Sequence, residues 1–122
     1  MSTIKKEVNR ELNTKIAERV MGWESQYIEY GGAGGEYVWV MPNGKWQHKP
    51  DVPEYSTNIK EALLVVEKME ELYGFKGHNG FLITKVDDKY YVEFPLPNWQ
   101  DGESKSLPEA ICLAALAAVE DE

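Results

Sequence analysis

The sequence predicts an α+β fold of element order α-β-β-α-β-β-α, with an antiparallel sheet of about four strands and helices packed on it. A capped, apolar-striped helix occupies the middle of the chain, before Gly74. Two strand-like runs lie on each side of it, and a further helix closes each end. A length of 122 residues fits a single domain over 1–122, large enough to bury its own core.

The first helix is predicted over residues 3–21 and ends at Gly22. Its apolar stripe recurs every four residues and consists of Ile4, Val8, Leu12, Ile16 and Val20. Lys15 and Arg19 lie one turn apart near its C-terminal end. Both can complement the helix dipole, and Arg19 could alternatively contact a phosphate.

Four runs rich in Tyr, Val, Ile and Phe predict strands, over 26–30, 36–41, 80–86 and 89–94. The glycine-rich segment 31–35 joins the first two. Glycine-rich loops can bind phosphate, but this one lacks the Lys-Ser/Thr ending of a phosphate-binding loop. We therefore interpret it as a hairpin loop.

The central helix follows a capping signal in which Ser56, Thr57 or Asn58 can serve as the N-cap. Its predicted buried face consists of Ile59, Ala62, Leu63, Val66, Met69 and Tyr73. The N-terminus of this helix could alternatively bind an anion, because free N–H groups and the dipole favour negative charge.

The third helix begins at Ser106, which has capping-box spacing to Glu109. The run Ala110 to Val119 is apolar on every side, so the helix must be covered on more than one face. A small domain covers such a helix only in part. We therefore predict a homo-oligomer with a subunit contact at this helix.

The composition of the chain argues against several classes of function. The net charge of −8 argues against binding of polymeric nucleic acid, which needs a basic face. Cys112 has apolar neighbours, which indicates a buried thiol in a reducing compartment. No apolar run approaches the roughly 20 residues that cross a membrane. These features predict a cytoplasmic protein.

No catalytic arrangement stands out, and neither His48 nor His78 has a partner at metal-ligand spacing. We therefore expect neither an enzyme nor a metal or cofactor site. Four tryptophans and seven tyrosines suit either a base with phosphates or a protein interface. Trp99, in a polar loop, either plugs the edge of the core or stacks on a ligand.

Three segments resemble the signatures of the phage ABA sandwich domain. They are residues 21–23 (Met-Gly-Trp), 53–59 (Pro-Glu-Tyr-Ser-Thr-Asn-Ile) and 108–116 (Pro-Glu-Ala-Ile-Cys-Leu-Ala-Ala-Leu). Within that group, the length and the aromatic strands resemble the Thoeris anti-defence proteins. The resemblance implies a phage protein that acts in the host bacterial cytoplasm. Such a protein would bind glycocyclic ADP-ribose without cleaving it, as a dimer or larger oligomer.

The site hypothesis places a cyclic ADP-ribose-type nucleotide in a pocket at a dimer interface. An aromatic side chain stacks on adenine, cations and hydroxyls meet the pyrophosphate, and an amide hydrogen-bonds ribose or base. The candidate ligand-binding residues are Arg19, Trp23, Tyr55, Ser56, Thr57, Asn98, Trp99 and Lys105. The rival hypothesis is a phage accessory protein that acts by protein–protein interaction, and a weaker one is a nucleotide-cleaving enzyme.

Overall fold

The computed structural model describes residues 2–32, 34–48, 52–73, 82–94 and 100–120, without the side chains of 2–8 and 100. These ranges form three helices and six strands in the order α-β-β-β-α-β-β-β-α, which confirms the predicted α+β class. The elements are α1 (Ser2–Arg19), β1 (Glu24–Glu29), β2 (Gly35–Val40), β3 (Trp46–His48), α2 (Ile59–Tyr73), β4 (Leu82–Val86), β5 (Lys89–Phe94), β6 (Gln100–Ser104) and α3 (Leu107–Glu120).

The strands form two antiparallel sheets of three, ordered β1-β2-β3 and β4-β5-β6. The predicted arrangement of about four strands in one sheet is wrong in this respect, because each predicted strand pair gains a third strand. β3 pairs Val38 with His48, and β6 pairs Val92 with Gly102. Neither short segment alternates polar and apolar residues, so pairing with its neighbour, rather than local pattern, makes it a strand.

The apolar stripe of α1 is confirmed where its side chains are described. Leu12, Ile16 and Val20 are buried in the main core cluster. The helix ends at Arg19, two residues before the predicted end at residue 21. Gly22 follows with a φ of +80°, a conformation that glycine adopts without strain. The Trp23 N–H then donates to the Ala17 carbonyl oxygen at 2.8 Å.

The predicted cap of α2 is confirmed at Asn58. Its Oδ1 accepts from the backbone N–H of Lys60 at 2.9 Å. The buried side of α2 differs from the prediction, because Leu63 is 46% exposed. The observed buried side chains are Ala62, Val65, Val66 and Met69. Apolar residues occupy every side of this part of the helix, so spacing alone fits more than one stripe, and packing against α3 selects one of them.

α3 is the most enclosed helix of the described chain. It contacts α1, α2, β5 and β6, and its buried side chains are Ala110, Ile111, Cys112, Ala114, Ala115, Leu116 and Ala118. The expectation that several faces of this helix are covered is therefore confirmed, as is the burial of Cys112. The chain itself accounts for much of this cover, and the predicted subunit contact stays a prediction. Among the described residues, no helix combines the length and apolar character needed to cross a membrane.

Candidate functional site

A polar cleft of about 550 Å³ lies where the starts of α2 and α3 come together. It is lined by Asn9, Ser56, Thr57, Ser104, Lys105, Ser106 and Glu109. Ser56 and Thr57 precede Asn58, the N-cap of α2, and Ser106 immediately precedes α3. A helix N-terminus carries positive partial charge, so two of them favour a bound anion.

The loop before α2 is fixed to α1 at the base of this cleft. The Ser56 backbone N–H donates to the Asn13 Oδ1 at 2.8 Å, and both residues are buried. The Ser56 hydroxyl donates to the Asn9 carbonyl oxygen at 3.5 Å. The Asn9 Oδ1 is shielded from water and accepts no hydrogen bond from the described residues. One wall of the cleft is thereby held rigidly and retains a spare acceptor.

The opposite wall is organised by the Ser104 hydroxyl. It donates to the Glu109 Oε1 at 2.5 Å and accepts from the Ser106 N–H at 3.1 Å. The predicted capping box between Ser106 and Glu109 is therefore replaced by a relay through a third residue. β6 ends beside the start of α3, which places this hydroxyl between the two partners. The relay holds the Glu109 carboxylate at the edge of the cleft.

Lys105 supplies a cation to the cleft. Its Nζ lies 3.5 Å from the Asp88 Oδ2, and the two side chains are 75% and 70% exposed. Exposed ion pairs of this kind contribute at most about 1 kcal/mol. The ammonium group can therefore exchange this carboxylate for a phosphate at little cost.

Ser56, Thr57 and Lys105 all line the cleft. Ser56 is 1% exposed and donates both its N–H and its hydroxyl to α1, so of the three predicted ligand residues Thr57 and Lys105 remain available to a ligand. Asn98 and Trp99 lie outside the described residues. Sequence reasoning did not select the other four residues of the cleft as ligand residues, because α1, β6 and α3 meet the start of α2 only in the folded chain. These residues are Asn9, Ser104, Ser106 and Glu109. The capping-box spacing was the one signal that pointed to Glu109.

Trp23 and Tyr55 were predicted to contact a ligand. In the structure both side chains pack in the core instead. Tyr55 is 2% exposed, and burial raises the pKa of its phenol. Trp23 is 9% exposed and packs edge-on against Trp39, with ring centroids 6.3 Å apart. Both side chains belong to the main core cluster. The core needs large apolar surfaces, and these rings leave almost none for stacking on a nucleotide.

Arg19 lies away from the cleft. Its guanidinium pairs with the Glu120 carboxylate at the C-terminal end of α3, whereas the cleft is at the N-terminal end. A helix of 14 residues is about 20 Å long. Arg19 and the cleft hydroxyls were predicted to form one phosphate site. The structure places them at opposite ends of α3. The position of Arg19 at the end of α1 agrees with the alternative role in complementing the dipole.

A second groove, of about 400 Å³, runs between α1 and α3. It is lined by Glu11, Leu12, Lys15, Glu109, Leu113 and Leu116. Glu109 therefore lines both the polar cleft and this α1–α3 groove.

The described residues contain no group of three or more side chains suited to hold a metal ion. His48, on β3, pairs with Glu36 and packs edge-on against Trp46. The Tyr30 hydroxyl also hydrogen-bonds to Glu36. These contacts give His48 the role of a polar partner on an exposed sheet face.

Comparisons with known proteins place the chain among phage proteins. Residues 14–116 match the family model of the phage ABA sandwich domain. The fold is similar to the 2.0 Å crystal structure of a phage protein from Bacillus cereus ATCC 14579, with 29% identity and a TM-score of 0.63. That similarity covers 91% of both chains. No curated protein matches the sequence. Together these findings support a phage accessory protein.

Proposed function

Because the chain belongs to the phage ABA sandwich domain family, we propose that it is an anti-defence protein that sequesters a cyclic ADP-ribose-type nucleotide. It binds the signal in the host bacterial cytoplasm without cleaving it and thereby blocks Thoeris immunity. The observation that carries this proposal is the polar cleft, in which Ser56, Thr57 and Lys105 lie beside two helix N-termini.

The cleft offers the donors that a pyrophosphate requires. Thr57, Ser106 and Lys105 line it, and hydrogen bonds to charged groups contribute about 1.5–3 kcal/mol each. A nanomolar dissociation constant corresponds to about 12 kcal/mol. Several such bonds, together with burial of a base, are therefore needed to reach that range after the cost of association.

Sequestration requires capture alone. Each occupied site removes one signal molecule, so the protein lowers free signal below the threshold of the host effector when it is present in excess. The proposal includes assembly into a homo-oligomer. Half-buried side chains of α3, such as Leu113 and Val119, remain for contact with a second copy.

Calorimetry with cyclic ADP-ribose and with glycocyclic ADP-ribose tests this proposal. The wild-type protein should bind and melt at a higher temperature with the nucleotide, because a ligand of the folded state stabilises it. Lys105→Met should weaken binding about tenfold or more. Lys45→Met is the matched control, since this exposed lysine lies between β2 and β3. Absence of any melting shift, or equal affinity of wild type and Lys105→Met, would contradict the proposal.

A protein-binding role is the second candidate, and the exposed apolar side chains of β4 favour it. Leu82, Ile83 and Val86 are each 45–51% exposed, and β4 lies at the edge of its sheet among the strands that the structure describes. Edge strands present unpaired N–H and C=O groups that can bind another chain. In this case cyclic ADP-ribose gives no heat, and a host protein captured by the wild type is lost with Ile83→Lys.

A further inference from the structure

The polar cleft and the α1–α3 groove share one wall, the Glu109 side chain. Resting on the proposed function, we infer that Glu109 binds the adenosine ribose of the nucleotide and divides one continuous site into two parts. The base occupies the α1–α3 groove, and the phosphates occupy the polar cleft. Glu109 is thus assigned as the residue that distinguishes ribose from deoxyribose.

The α1–α3 groove has the chemistry of a base-binding site. Leu12 and Leu116 are each 8% exposed. Leu113 is half-buried. Leu113 therefore supplies the apolar surface on which a flat ring loses contact with water, and the core residues Leu12 and Leu116 support it from below. Glu11 and Lys15 lie at the rim, where they can hydrogen-bond to the polar edge of a base. The groove volume of about 400 Å³ falls within the range of small-molecule sites.

The Glu109 carboxylate is placed and oriented to accept from a ribose hydroxyl. Its Oε1 already accepts from the Ser104 hydroxyl, which fixes the group. A carboxylate has about four acceptor positions, so capacity remains for a ligand. Acidic side chains bind ribose hydroxyls in the same way in dinucleotide-binding folds.

The order of chemical groups along the combined site matches the order in a nucleotide. Apolar Leu113 lies on one side of Glu109, and the hydroxyls and ammonium group of the polar cleft lie on the other. A nucleotide carries its ribose between base and phosphate. The opposite orientation would place the phosphates in the α1–α3 groove, whose lining residues include none of the hydroxyl side chains found in the polar cleft.

Discrimination between two ligands tests the inference. We would measure calorimetric affinities for cyclic ADP-ribose and for its analogue lacking the 2′-hydroxyl of the adenosine ribose. Wild type should bind the parent about tenfold to a hundredfold more tightly, the range for a hydrogen bond to a charged group. Glu109→Gln should bind both ligands with similar affinity. Glu67→Gln, an exposed α2 carboxylate that lines neither groove, should keep the wild-type preference.

A second variant tests the position of the base. Leu113→Gln should weaken both ligands by a similar factor, because it changes the apolar wall and not the ribose contact. Melting temperatures without ligand establish that each variant is folded. If the wild type binds the two ligands with equal affinity, that measurement alone overturns the inference.

The outcomes also separate this inference from the proposed function. If wild type binds no cyclic ADP-ribose, both fail. If binding depends on Lys105 but is unchanged in Glu109→Gln and Leu113→Gln, sequestration stands and the assignment of Glu109 is overturned.

Discussion

A Cβ atom built at Gly102 would lie 2.4 Å from the backbone nitrogen of Ala114. It would also lie 2.6 Å from the Ala110 carbonyl oxygen. The backbone of β6 therefore rests directly on the backbone of α3, with glycine on one side and alanines on the other. This close approach places Ser104 and Lys105 beside the first turn of α3 and so builds the polar cleft.

Gly102→Ala should destabilise the fold. The added methyl group has no space and meets backbone atoms, so β6 must move away from α3, and overpacking of this kind costs typically about 1–3 kcal/mol. Urea unfolding measures the loss. Gly31→Asn is the control, because a Cβ there has nothing within 4 Å and Asn tolerates the positive φ. Equal stability of Gly102→Ala and wild type would contradict the packing of β6 on α3.

The buried side of α2 can be tested with two truncations. Met69 is 0% exposed and Leu63 is 46% exposed. Met69→Ala should lower the free energy of unfolding by about 2–5 kcal/mol because it leaves a cavity. Leu63→Ala should change it by less than about 0.5 kcal/mol. A loss in Leu63→Ala as large as that in Met69→Ala would place Leu63 on the buried face, as the sequence predicted.

The Cys112 thiol should be unreactive in the folded protein. Burial raises its pKa to about 12, with a further contribution from the Glu109 charge. The thiolate, which is the reactive form, is therefore almost absent at pH 8. Alkylation followed by mass spectrometry should show no modification within minutes in buffer and complete modification in urea. Rapid labelling of the native protein would show that α3 is not enclosed as described.

Glu36 should titrate below its ordinary pKa. The Tyr30 hydroxyl donates to its carboxylate and His48 adds a second contact, and together they lower the pKa from 4.5. A lowered pKa stabilises the fold above the unfolded-state pKa, and this contribution is lost as the pH falls through the folded-state value. Tyr30→Phe should raise the pKa of Glu36, measured by NMR titration. Tyr27→Phe should leave it unchanged, and an unchanged value in Tyr30→Phe would disprove the hydrogen bond.

Local signals in the sequence predicted the elements that depend on local physics. Asn58 caps α2 because its side chain reaches the next N–H groups, and Gly22 ends α1 through its own backbone freedom. β6 could not be predicted in this way, because Gly102 is a poor strand former and becomes part of a sheet only by pairing with Val92. Packing against α3 selects the buried side of α2, so the local sequence pattern could not predict that side either.

Only part of the candidate site could be predicted from the sequence, because the rest of it also depends on tertiary packing. Ser56 and Thr57 were marked by a helix start, and Lys105 was selected as a cation for the pyrophosphate. Asn9 and Ser104 join them only because α1 and β6 pack at those helix starts. Trp23 and Tyr55 were selected as aromatic candidates, but composition does not distinguish a stacking ring from a core ring.

Recovery of the ligand tests the central claim most directly. The protein would be incubated with cyclic ADP-ribose, freed of unbound nucleotide by gel filtration, and denatured, and the released nucleotide would be identified and quantified by mass spectrometry. Sequestration predicts intact cyclic nucleotide in a fixed molar ratio to protein, reduced in Lys105→Met. Release of a linear product, or of no nucleotide at all, would contradict it.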